Sequence, residues 1–422
     1  MPEKDLSRRA VVTGLGAVTP IGNDHPTFWG NLVAGVSGAG PITHFDATGF
    51  DVRIAAEVKD FDPAQHMDRK MARRMSRFIH FGVAAAKEAV RDSGLDFSDW
   101  SPEQRDRVAV ALNTGGGGVE EISEGEAVLA ARGPGQVSPF AFPSLSASMA
   151  ACQVSMEYGI TGPVITQSAA CATSIICFLD ALRMIQRGEV DVVLAGGTEA
   201  PLLPVGFAAL GNMHALSRRN DEPQKASRPF DKHRDGFLYG EGAGVVVVES
   251  AEHALKRGAT IQAEVLGAAL TADAFHISAP EPTGRGACMA MSKAMKDAGI
   301  SPDEVDYDAA HGTSTQLNDV TETRAIKAAY GGHAHKLAIS SAKSMVGHTI
   351  GAAGVINALA AIGAIRVGVV PPTINLDEPD LPECDLDYVP NLARKMKVDT
   401  AMINGFGFGG QNAVAIFRRF SP

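Results

Sequence analysis

The chain has 422 residues, a formal net charge of −10 and a hydrophobic fraction of 45%. This acidic balance argues against general binding to nucleic acid or to an anionic membrane, because both attract basic surfaces. The five cysteines show neither CxxC spacing nor histidine-rich neighbours, so we expect no metal site and a reducing compartment. The opening run MPEKDLSRRAVVTG lacks the apolar core of a signal peptide, and the later apolar run GAAGVINALAAIGAI is too short to cross a membrane and carries Asn357. We therefore expect a soluble cytoplasmic protein.

Strand-like runs alternate with helix-like runs along the whole chain, which indicates an α/β architecture. No proline- or serine-rich linker divides them, and a chain of this length forms two or three domains or one large duplicated fold. The strand-like runs are AVVTGLG (10–16), RVAVALNTG (107–115), DVVLAGG (191–197), GVVVVES (244–250), IQAEVLGAAL (261–270), YDAAHGT (307–313), KLAISSAKS (336–344), AMINGFGFGG (401–410) and AVAIFRRF (413–420).

Two early glycine-rich segments match nucleotide-binding loops only in part. The run VVTGLGAVTPIG (11–22) follows a strand, but Thr19 stands where a dinucleotide fingerprint has its third glycine. The run NTGGGGVEE (113–121) lacks the lysine of a P-loop, and Glu120 and Glu121 would repel a phosphate. We therefore expect no nicotinamide or nucleotide cofactor.

The run GPVITQSAACATSIICFLDALRMIQRG (162–188) places Cys171 among small residues, where a short buried strand becomes an apolar helix. The free N–H groups and the dipole at a helix N-terminus favour an anion, so we expect the pKa of this thiol to fall toward the working pH. A buried structural cysteine is the alternative, since that is the commoner role of a single cysteine. Cys171 is thus a candidate nucleophile.

Two histidines follow later strands in loops rich in glycine and threonine: His311 in AAHGTSTQLND (309–319) and His348 in SAKSMVGHTIGAAG (341–354). A single loop histidine is usually a surface residue, but both stand at strand ends, where open α/β sheets bind ligands. Near the C-terminus, NGFGFGGQNA (404–413) has few side chains, so its N–H groups could face a developing oxyanion, as thioester chemistry requires. A glycine-rich hairpin turn is the alternative for that run.

Two pairs of segments repeat the same order of elements. Residues 85–117 and 291–315 both read as helix, acidic turn, strand and glycine-rich loop, and residues 164–188 and 337–368 read as strand, small-residue loop and apolar helix. Halves of similar topology would pack about a pseudo-twofold axis and bring Cys171 together with Lys343 and His348. Chance likeness between α/β segments is the alternative. We predict two halves, 1–255 with the cysteine and 256–422 with both histidines and the glycine-rich loop.

Six ordered motifs extend along the chain: SAACATS (168–174), RPFDKHRDGFLYGEGAG (228–244), AHGTST (310–315), KSMVGHTIGAAG (343–354), PPTINLDEPD (371–380) and GFGFGG (405–410). With them the chain resembles the elongating type II β-ketoacyl-acyl-carrier-protein synthases, which belong to the thiolase-like condensing enzymes. The resemblance implies a thiolase-like duplicated five-layered α-β-α-β-α core, normally in a homodimer. It also implies a decarboxylative Claisen condensation between an acyl-enzyme thioester and malonyl-carrier protein, which extends a fatty-acyl chain by two carbons.

The resemblance also assigns roles to individual residues. The Cys171 thiolate would take the acyl chain, and His311 and His348 would donate hydrogen bonds to the thioester carbonyl that becomes the enolate. The backbone N–H groups of Cys171 and Phe408 would stabilise the tetrahedral oxyanion. Lys343 would be a buried lysine whose counter-charge is its carboxylate partner, Glu322. The remaining assigned positions are the oxyanion hole and gate of the acyl pocket (Phe406, Phe408) and the contacts to the pantetheine arm (Ser278, Thr313, Thr315).

The implied partner is the acyl carrier protein, whose own 4'-phosphopantetheine carries the substrates, so the resemblance implies no resident cofactor. Carrier proteins are acidic and need a basic surface on this acidic chain. In DRKMARRMSR (68–77), helical spacing would gather basic residues on one face, although a solvated helix face is the alternative. The predicted patch consists of Arg69, Lys70, Arg73, Arg74 and Arg77, extended by Arg218 and Arg219.

Departures from the usual family pattern at Ser168, Gln316 and Gln411 leave the chain-length preference open, and a ketosynthase of a type II polyketide or polyene pathway fits equally well. A degradative thiolase is disfavoured, because it would need a second cysteine near the GFGFGG run. An initiating type III ketosynthase is disfavoured, because it pairs histidine with asparagine where this chain has His348. From a different class, a non-catalytic chain-length partner would lose the nucleophile, which this chain retains.

Overall fold

A computed structural model of the protein describes residues 5–422. The strands are β1 (Ala10–Val18), β2 (Gly40–Pro41), β3 (Ile54–Ala55), β4 (Val108–Asn113), β5 (Val164–Ile165), β6 (Val192–Glu199), β7 (Gly242–Ser250), β8 (Ala263–Ala272), β9 (Tyr307–Ala309), β10 (Ala338–Ser340), β11 (Val369–Val370), β12 (Arg394–Lys395), β13 (Thr400–Gly407) and β14 (Gln411–Arg418). The helices are α1 (His25–Val33), α2 (Arg69–Ala72), α3 (Arg77–Ser93), α4 (Pro102–Asp106), α5 (Glu120–Arg132), α6 (Ala141–Leu145), α7 (Met149–Tyr158), α8 (Thr173–Gln186), α9 (Pro204–Asn212), α10 (Ala251–Lys256), α11 (Arg285–Ala298), α12 (Gln316–Tyr330), α13 (Lys343–Val346) and α14 (Ala353–Val367). Each of the predicted strand-like runs contains a strand.

Ten strands form one sheet in the order β10-β9-β13-β14-β8-β1-β7-β6-β4-β5. Its two halves meet at β8 and β1, which share only three residue pairs. From this junction outward, each half has two antiparallel pairings followed by two parallel pairings. The predicted duplication is therefore confirmed.

The division of the chain at residues 255 and 256 stays a prediction. It falls at the end of α10, between the strands of the two half-sheets, and the first four residues of the predicted N-terminal half lie outside the described residues.

The side chains of β7 and of β14 alternate between two cores, as the pleat requires. In β7, Val246 and Val248 face the core that contains α8 and α14, whereas Val245 and Val247 face the core that contains α3 and α7. Alternate residues of β14 likewise divide between the α8 and α14 core and a third core with α11 and α12. The helices α8 and α14 thus lie between the two half-sheets. The predicted five-layered α-β-α-β-α order is confirmed.

The segment Ile350–Val367, which includes α14, contains the apolar run 351–365 that the sequence singled out. It has a mean hydropathy of 1.8 and is long enough to cross a membrane, so the expectation that the run is too short is wrong. However, 83% of it is buried within the protein. The Asn357 amide donates to the carbonyl oxygens of Ala309 and Ala310 at 3.2 and 3.0 Å, so its polar group is satisfied inside the core. The segment is a core helix between the half-sheets.

The strand β5 also differs from its prediction as a buried strand. It is the outermost strand of its half-sheet, and its Val164 is 37% exposed. An edge strand has neighbours on one side only, which is why its side chains are less covered than an apolar run suggests.

The packing of α3 on β1 leaves no room for a side chain at Gly16, because a Cβ there would overlap the carbonyl oxygen of Ala85. We expect Gly16→Ala to push α3 away from the sheet and to lower the free energy of unfolding by about 1–3 kcal/mol, measured by chemical denaturation. Gly30→Ala is the control, since a Cβ at that exposed position of α1 meets no heavy atom within 4 Å. It should gain about 0.5–1 kcal/mol from helix propensity. Equal stability of the two variants would contradict this close packing.

Candidate active site

Cys171 lies in a short 3-10 turn, Ala170–Ala172, that leads directly into α8. The residue is 6% exposed. Ala170 has a φ of 50°, which is uncommon for a residue with a Cβ and marks a turn held by its surroundings. The strand β13 packs against this turn so closely that a Cβ at Gly407 would lie 2.6 Å from the carbonyl oxygen of Ala169. The absence of a side chain at Gly407, in the GFGFGG run, therefore lets β13 approach the nucleophile.

His348 comes from the other half of the chain and contacts the nucleophile. Its Nε2 lies 2.9 Å from Cys171 Sγ, and its Nδ1 accepts the backbone N–H of Ile350 at 3.3 Å. Because a neutral imidazole has one donor and one acceptor nitrogen, the ring carries its proton on Nε2 and donates toward the sulfur. Burial lowers the pKa of His348 well below its usual value, and the Lys343 ammonium adds to the effect. His348 is thus a neutral hydrogen-bond donor.

His311 lies beside His348, with the two ring centroids 5.4 Å apart. It is 2% exposed, and burial lowers its pKa well below the usual value, assisted by Lys343 and His348. Phe406 packs edge-on against it, at 5.6 Å between centroids. Two neutral imidazoles therefore stand next to the thiol, as the predicted donor pair requires.

The thiol itself differs from the expectation drawn from the helix N-terminus. Burial raises the pKa of Cys171 to about 11. The Lys343 ammonium and the backbone N–H groups of Phe408 and Cys171 act in the opposite direction, whereas the Glu199 carboxylate adds to the increase. The expected lowering is wrong in sign, because removal of water from the sulfur outweighs the local donors. The Lys343 ammonium, these N–H groups and the Nε2–H donor of His348 are the groups that favour a thiolate here.

Lys343 and Glu322, the predicted lysine and its counter-charge, are both buried, and no hydrogen bond or ion pair joins them within residues 5–422. The Glu322 carboxylate accepts the backbone N–H groups of His311 and Gly312, both at 2.7 Å. The Lys343 Nζ is buried without a hydrogen-bond partner in the described part of the chain. Burial lowers the pKa of Lys343 and raises that of Glu322, and the opposite charge of each partly offsets the shift of the other. The two groups therefore interact through space, and Glu322 holds the backbone of the His311 loop.

A cleft of about 640 Å³ opens over the sulfur. The Thr313 and Thr315 hydroxyls, 2.9 Å apart, offer polar groups to an incoming arm, and Phe408 is 39% exposed in the turn after β13. The two threonine hydroxyls suit a polar arm, and the Phe408 ring suits an apolar gate. The predicted site residues that line the cleft are Cys171, Ser278, His311, Thr313, Thr315, Glu322, His348, Phe406 and Phe408.

The predicted basic patch is only partly available. The run 68–77 is not one helix, because α2 ends at Ala72 and α3 begins at Arg77, so the predicted helical face does not form. Arg77 donates to both carboxylate oxygens of Glu241, at 2.9 and 2.8 Å. Arg218 pairs with Asp51 at 3.0 Å.

Two further members of the patch are engaged without an ion pair. Arg74 lies over the Phe140 ring, and Arg219 donates to the carbonyl oxygen of His233. The exposed remainder consists of Arg69, Lys70 and Arg73.

Glu199, at the end of β6, was not among the predicted site residues. Its carboxylate accepts the N–H groups of Gly115 at 2.7 Å, Gly116 at 3.0 Å and Gly351 at 2.9 Å, and the Thr114 hydroxyl at 3.1 Å. The glycine-rich loop 113–118 therefore does bind an anion, but that anion is a side chain of the protein itself. The sequence singled out this glycine-rich loop, but it did not indicate that the loop binds Glu199.

The sulfur and the ring nitrogens of Cys171, His311 and His348 lie within 4.8 Å of one another, which is close enough to hold a metal ion. A metal on His348 Nε2 would place the remaining ring proton on Nδ1. That nitrogen faces the Ile350 N–H, so two donors would oppose each other. The donor set therefore fits hydrogen-bond chemistry better than metal binding.

Comparison with known proteins gives the family. The model of the β-ketoacyl synthase N-terminal domain matches residues 7–254, and that of the C-terminal domain matches residues 262–377. The 3-oxoacyl-[acyl-carrier-protein] synthase 2 of Synechocystis sp. is 48% identical over 98% of each chain.

Solved structures extend the comparison to the fold. The ishigamide ketosynthase/chain length factor superposes with a TM-score of 0.90 at 38% identity, over 98% of this chain and 100% of that chain. AntDE:AntF, a type II PKS acyl-carrier protein in complex with its ketosynthase, gives 0.89 at 34% identity over the same shares. This chain belongs to the β-ketoacyl synthase family and has its thiolase-like fold.

Proposed function

We propose that this chain extends an acyl chain held on Cys171 by two carbons from malonyl-carrier protein, as a 3-oxoacyl-acyl-carrier-protein synthase. The observation that carries the proposal is the contact of the Cys171 sulfur with the donor nitrogen of His348, with His311 in the same cleft. The 48% identity with the Synechocystis synthase exceeds the 38% identity with the ishigamide ketosynthase, which favours fatty-acyl elongation over a polyketide or polyene pathway. A non-catalytic chain-length partner would not need this intact contact.

In the first stage, the Cys171 thiolate attacks the thioester carbonyl of acyl-carrier protein. A new bond forms between sulfur and the acyl carbon, and the bond to the pantetheine sulfur breaks. The negative oxygen of the tetrahedral intermediate needs donors already in place, and the N–H groups of Cys171 and Phe408 supply them. The pantetheine thiolate leaves and takes a proton.

In the second stage, the malonyl thioester carbonyl occupies the space before His311 and His348. The bond to the carboxylate breaks, carbon dioxide leaves, and the electron pair moves into an enolate whose oxygen accepts from both rings. Neutral donors suit this step, because an imidazolium would protonate the enolate. The carbanion then attacks the acyl carbon, and the Cys171 thiolate is released as the leaving group.

The acyl carrier protein approaches the cleft through its acidic surface. The exposed side chains of Arg69, Lys70 and Arg73 offer the complementary charge on this otherwise acidic protein. The carrier complex of AntDE:AntF, a relative at 34% identity, supports a carrier protein as the partner.

A homodimer accounts for the exposed edge of the N-terminal half-sheet. Apolar side chains on neighbouring elements of this edge face outward: Phe142 of α6 is 79% exposed, Met156 of α7 is 61% exposed and Val164 of β5 is 37% exposed. A second copy would bring an identical unpaired edge, so antiparallel pairing about a twofold axis would satisfy both strands and cover these side chains.

The two stages can be separated by mass spectrometry and carbon dioxide release. Wild type should gain one acyl mass from acyl-carrier protein, and Cys171→Ala should gain none, because the bond-forming sulfur is absent. His311→Ala should still be acylated, whereas its release of carbon dioxide from malonyl-carrier protein should fall by about 10²–10³-fold, the effect of losing one oxyanion donor.

His333→Ala is the control for this experiment, since that imidazole bonds to the Val305 carbonyl away from the cleft. It should behave as wild type in both assays. A panel of acyl-carrier proteins of increasing chain length would also give the preferred substrate. If no donor acylates wild type, the catalytic proposal fails and the chain-length partner takes its place.

Lys343→Met should raise the pKa of Cys171 further, because the ammonium is the largest influence that lowers it. Below this pKa the thiolate fraction falls tenfold for each unit of increase, so iodoacetamide should alkylate Cys171 more slowly at any fixed pH. The rate is measured by peptide mass spectrometry, since Cys152 and Cys288 are also partly accessible. Lys293→Met, on the exposed face of α11, should leave the pH profile unchanged. An unchanged profile in Lys343→Met would show that the ammonium does not act on the sulfur.

The double variant Met156→Lys, Val164→Lys should be monomeric, because pairing of two copies would bury like charges against one another. Light scattering after size-exclusion chromatography measures the mass, with wild type expected as a dimer. Val367→Lys, at a 57% exposed apolar position outside this edge, should remain dimeric. A wild-type monomer would overturn the proposal.

A further inference from the structure

The tautomer of His348 depends on a single backbone N–H. Ile350 donates this N–H to Nδ1 of His348, and the 3-10 turn that begins at Ile350 must therefore keep its orientation. Two other backbone bonds already fix the histidine itself, since its N–H donates to Leu238 and its carbonyl oxygen accepts from Gly240. These bonds place the ring but do not place the Ile350 N–H.

Ile350 has a φ of 45°. For a β-branched residue this left-handed conformation is a genuine outlier, and it persists only where the surroundings impose it. The residue after it, Gly351, donates its N–H to the Glu199 carboxylate at 2.9 Å. Glu199 therefore anchors the turn immediately beyond the strained residue.

The same carboxylate oxygen accepts the Gly115 N–H at 2.7 Å, from the loop after β4 in the other half of the chain. The carbonyl oxygen of Gly115 accepts the Ser168 hydroxyl at 3.0 Å, three residues before the nucleophile. Glu199 thus links the loop that carries His348 to the segment that carries Cys171. It is 1% exposed and touches neither the sulfur nor the imidazole by any hydrogen bond within residues 5–422.

We propose that Glu199 is a positioning residue that sets the Nε2–H tautomer of His348 by holding the Ile350–Gly351 turn. The inference rests on the proposed function in one respect: that function requires His348 to act as a hydrogen-bond donor. Without the anchor, Ile350 relaxes toward ordinary backbone angles and its N–H turns away from Nδ1. Both tautomers then become accessible, and in one of them the nitrogen that faces the sulfur is an acceptor.

The test is nuclear magnetic resonance of protein labelled with ¹⁵N-histidine, which distinguishes protonated from unprotonated ring nitrogens without any substrate. The His348 signals are assigned by their loss in His348→Ala. Wild type should show a protonated Nε2 and an unprotonated Nδ1, whereas Glu199→Ala should show an average of the two tautomers. Decarboxylation of malonyl-carrier protein should fall in proportion to the fraction of the Nε2–H form, so one tenth of that form gives about a tenfold loss.

Gly351→Ala disturbs the hydrogen bond between Gly351 and Glu199 without removing the carboxylate, because a Cβ at this position would overlap the Glu199 Oε2. It should reproduce the signals of Glu199→Ala. Glu199→Gln is the rescue variant, since its remaining carbonyl oxygen can still accept from Gly115 and Gly351, and it should largely keep the wild-type tautomer.

Asp306→Ala is the matched control. The half-buried Asp306 carboxylate also accepts two backbone N–H groups on one oxygen, from Asp399 at 2.7 Å and Thr400 at 3.0 Å, at the opposite end of β13 from Gly407. It should keep the wild-type His348 signals.

Wild-type signals in both Glu199→Ala and Gly351→Ala, or the same change in Asp306→Ala, would overturn the inference. Correct tautomer signals in an inactive wild type would instead refute the proposed function alone.

Discussion

Exclusion of water from one small volume, where the two halves of the chain meet, is the constraint on which this site depends. Cys171 and His348 are 177 positions apart in the sequence, yet their sulfur and nitrogen lie 2.9 Å from each other. Burial acts on every titratable group there: it raises the pKa of the thiol and of Glu322, and it lowers the pKa of both histidines. Each shift favours the neutral form. The site therefore works with neutral donors and a few fixed charges.

This environment divides the chemistry between groups. Neutral imidazoles stabilise an enolate without protonating it, which is what the decarboxylation stage requires. The same burial is unfavourable for the thiolate, so the sulfur depends on the Lys343 ammonium and on backbone N–H groups. Glu199 acts on this balance in two ways, because its charge raises the pKa of Cys171 while its hydrogen bonds fix the turn beside His348. The hydrogen bonds of Glu199 therefore stabilise the loops, whereas its charge makes the Cys171 thiol harder to ionise.

Small residues allow the segments around Cys171 and His348 to approach one another closely. Glycines of β13 let that strand pack against the nucleophile turn, and the central helices α8 and α14 bring the loops of the two half-sheets together. Two residues with unusual backbone angles, Ala170 and Ile350, lie within two positions of Cys171 and His348 in the chain. Such strain persists where many contacts determine the backbone, and here these contacts come from both halves.

The amino-acid sequence by itself predicted the alternation of strands and helices, the duplication, and the three residues Cys171, His311 and His348 that the structure brings together in one cleft. These depend on local patterns: the strand-like runs, the repeated order of elements, and reactive residues in small-residue loops at strand ends. The tertiary structure alone decided the sign of the thiol pKa shift, because desolvation depends on everything packed around Cys171. It also decided that Arg77 is bound to Glu241, that the Lys343 Nζ has no hydrogen-bond partner in the described residues, and that the glycine-rich loop 113–118 holds Glu199. Partners of this kind come from distant segments, and no local pattern in the sequence specifies which carboxylate will reach which N–H group.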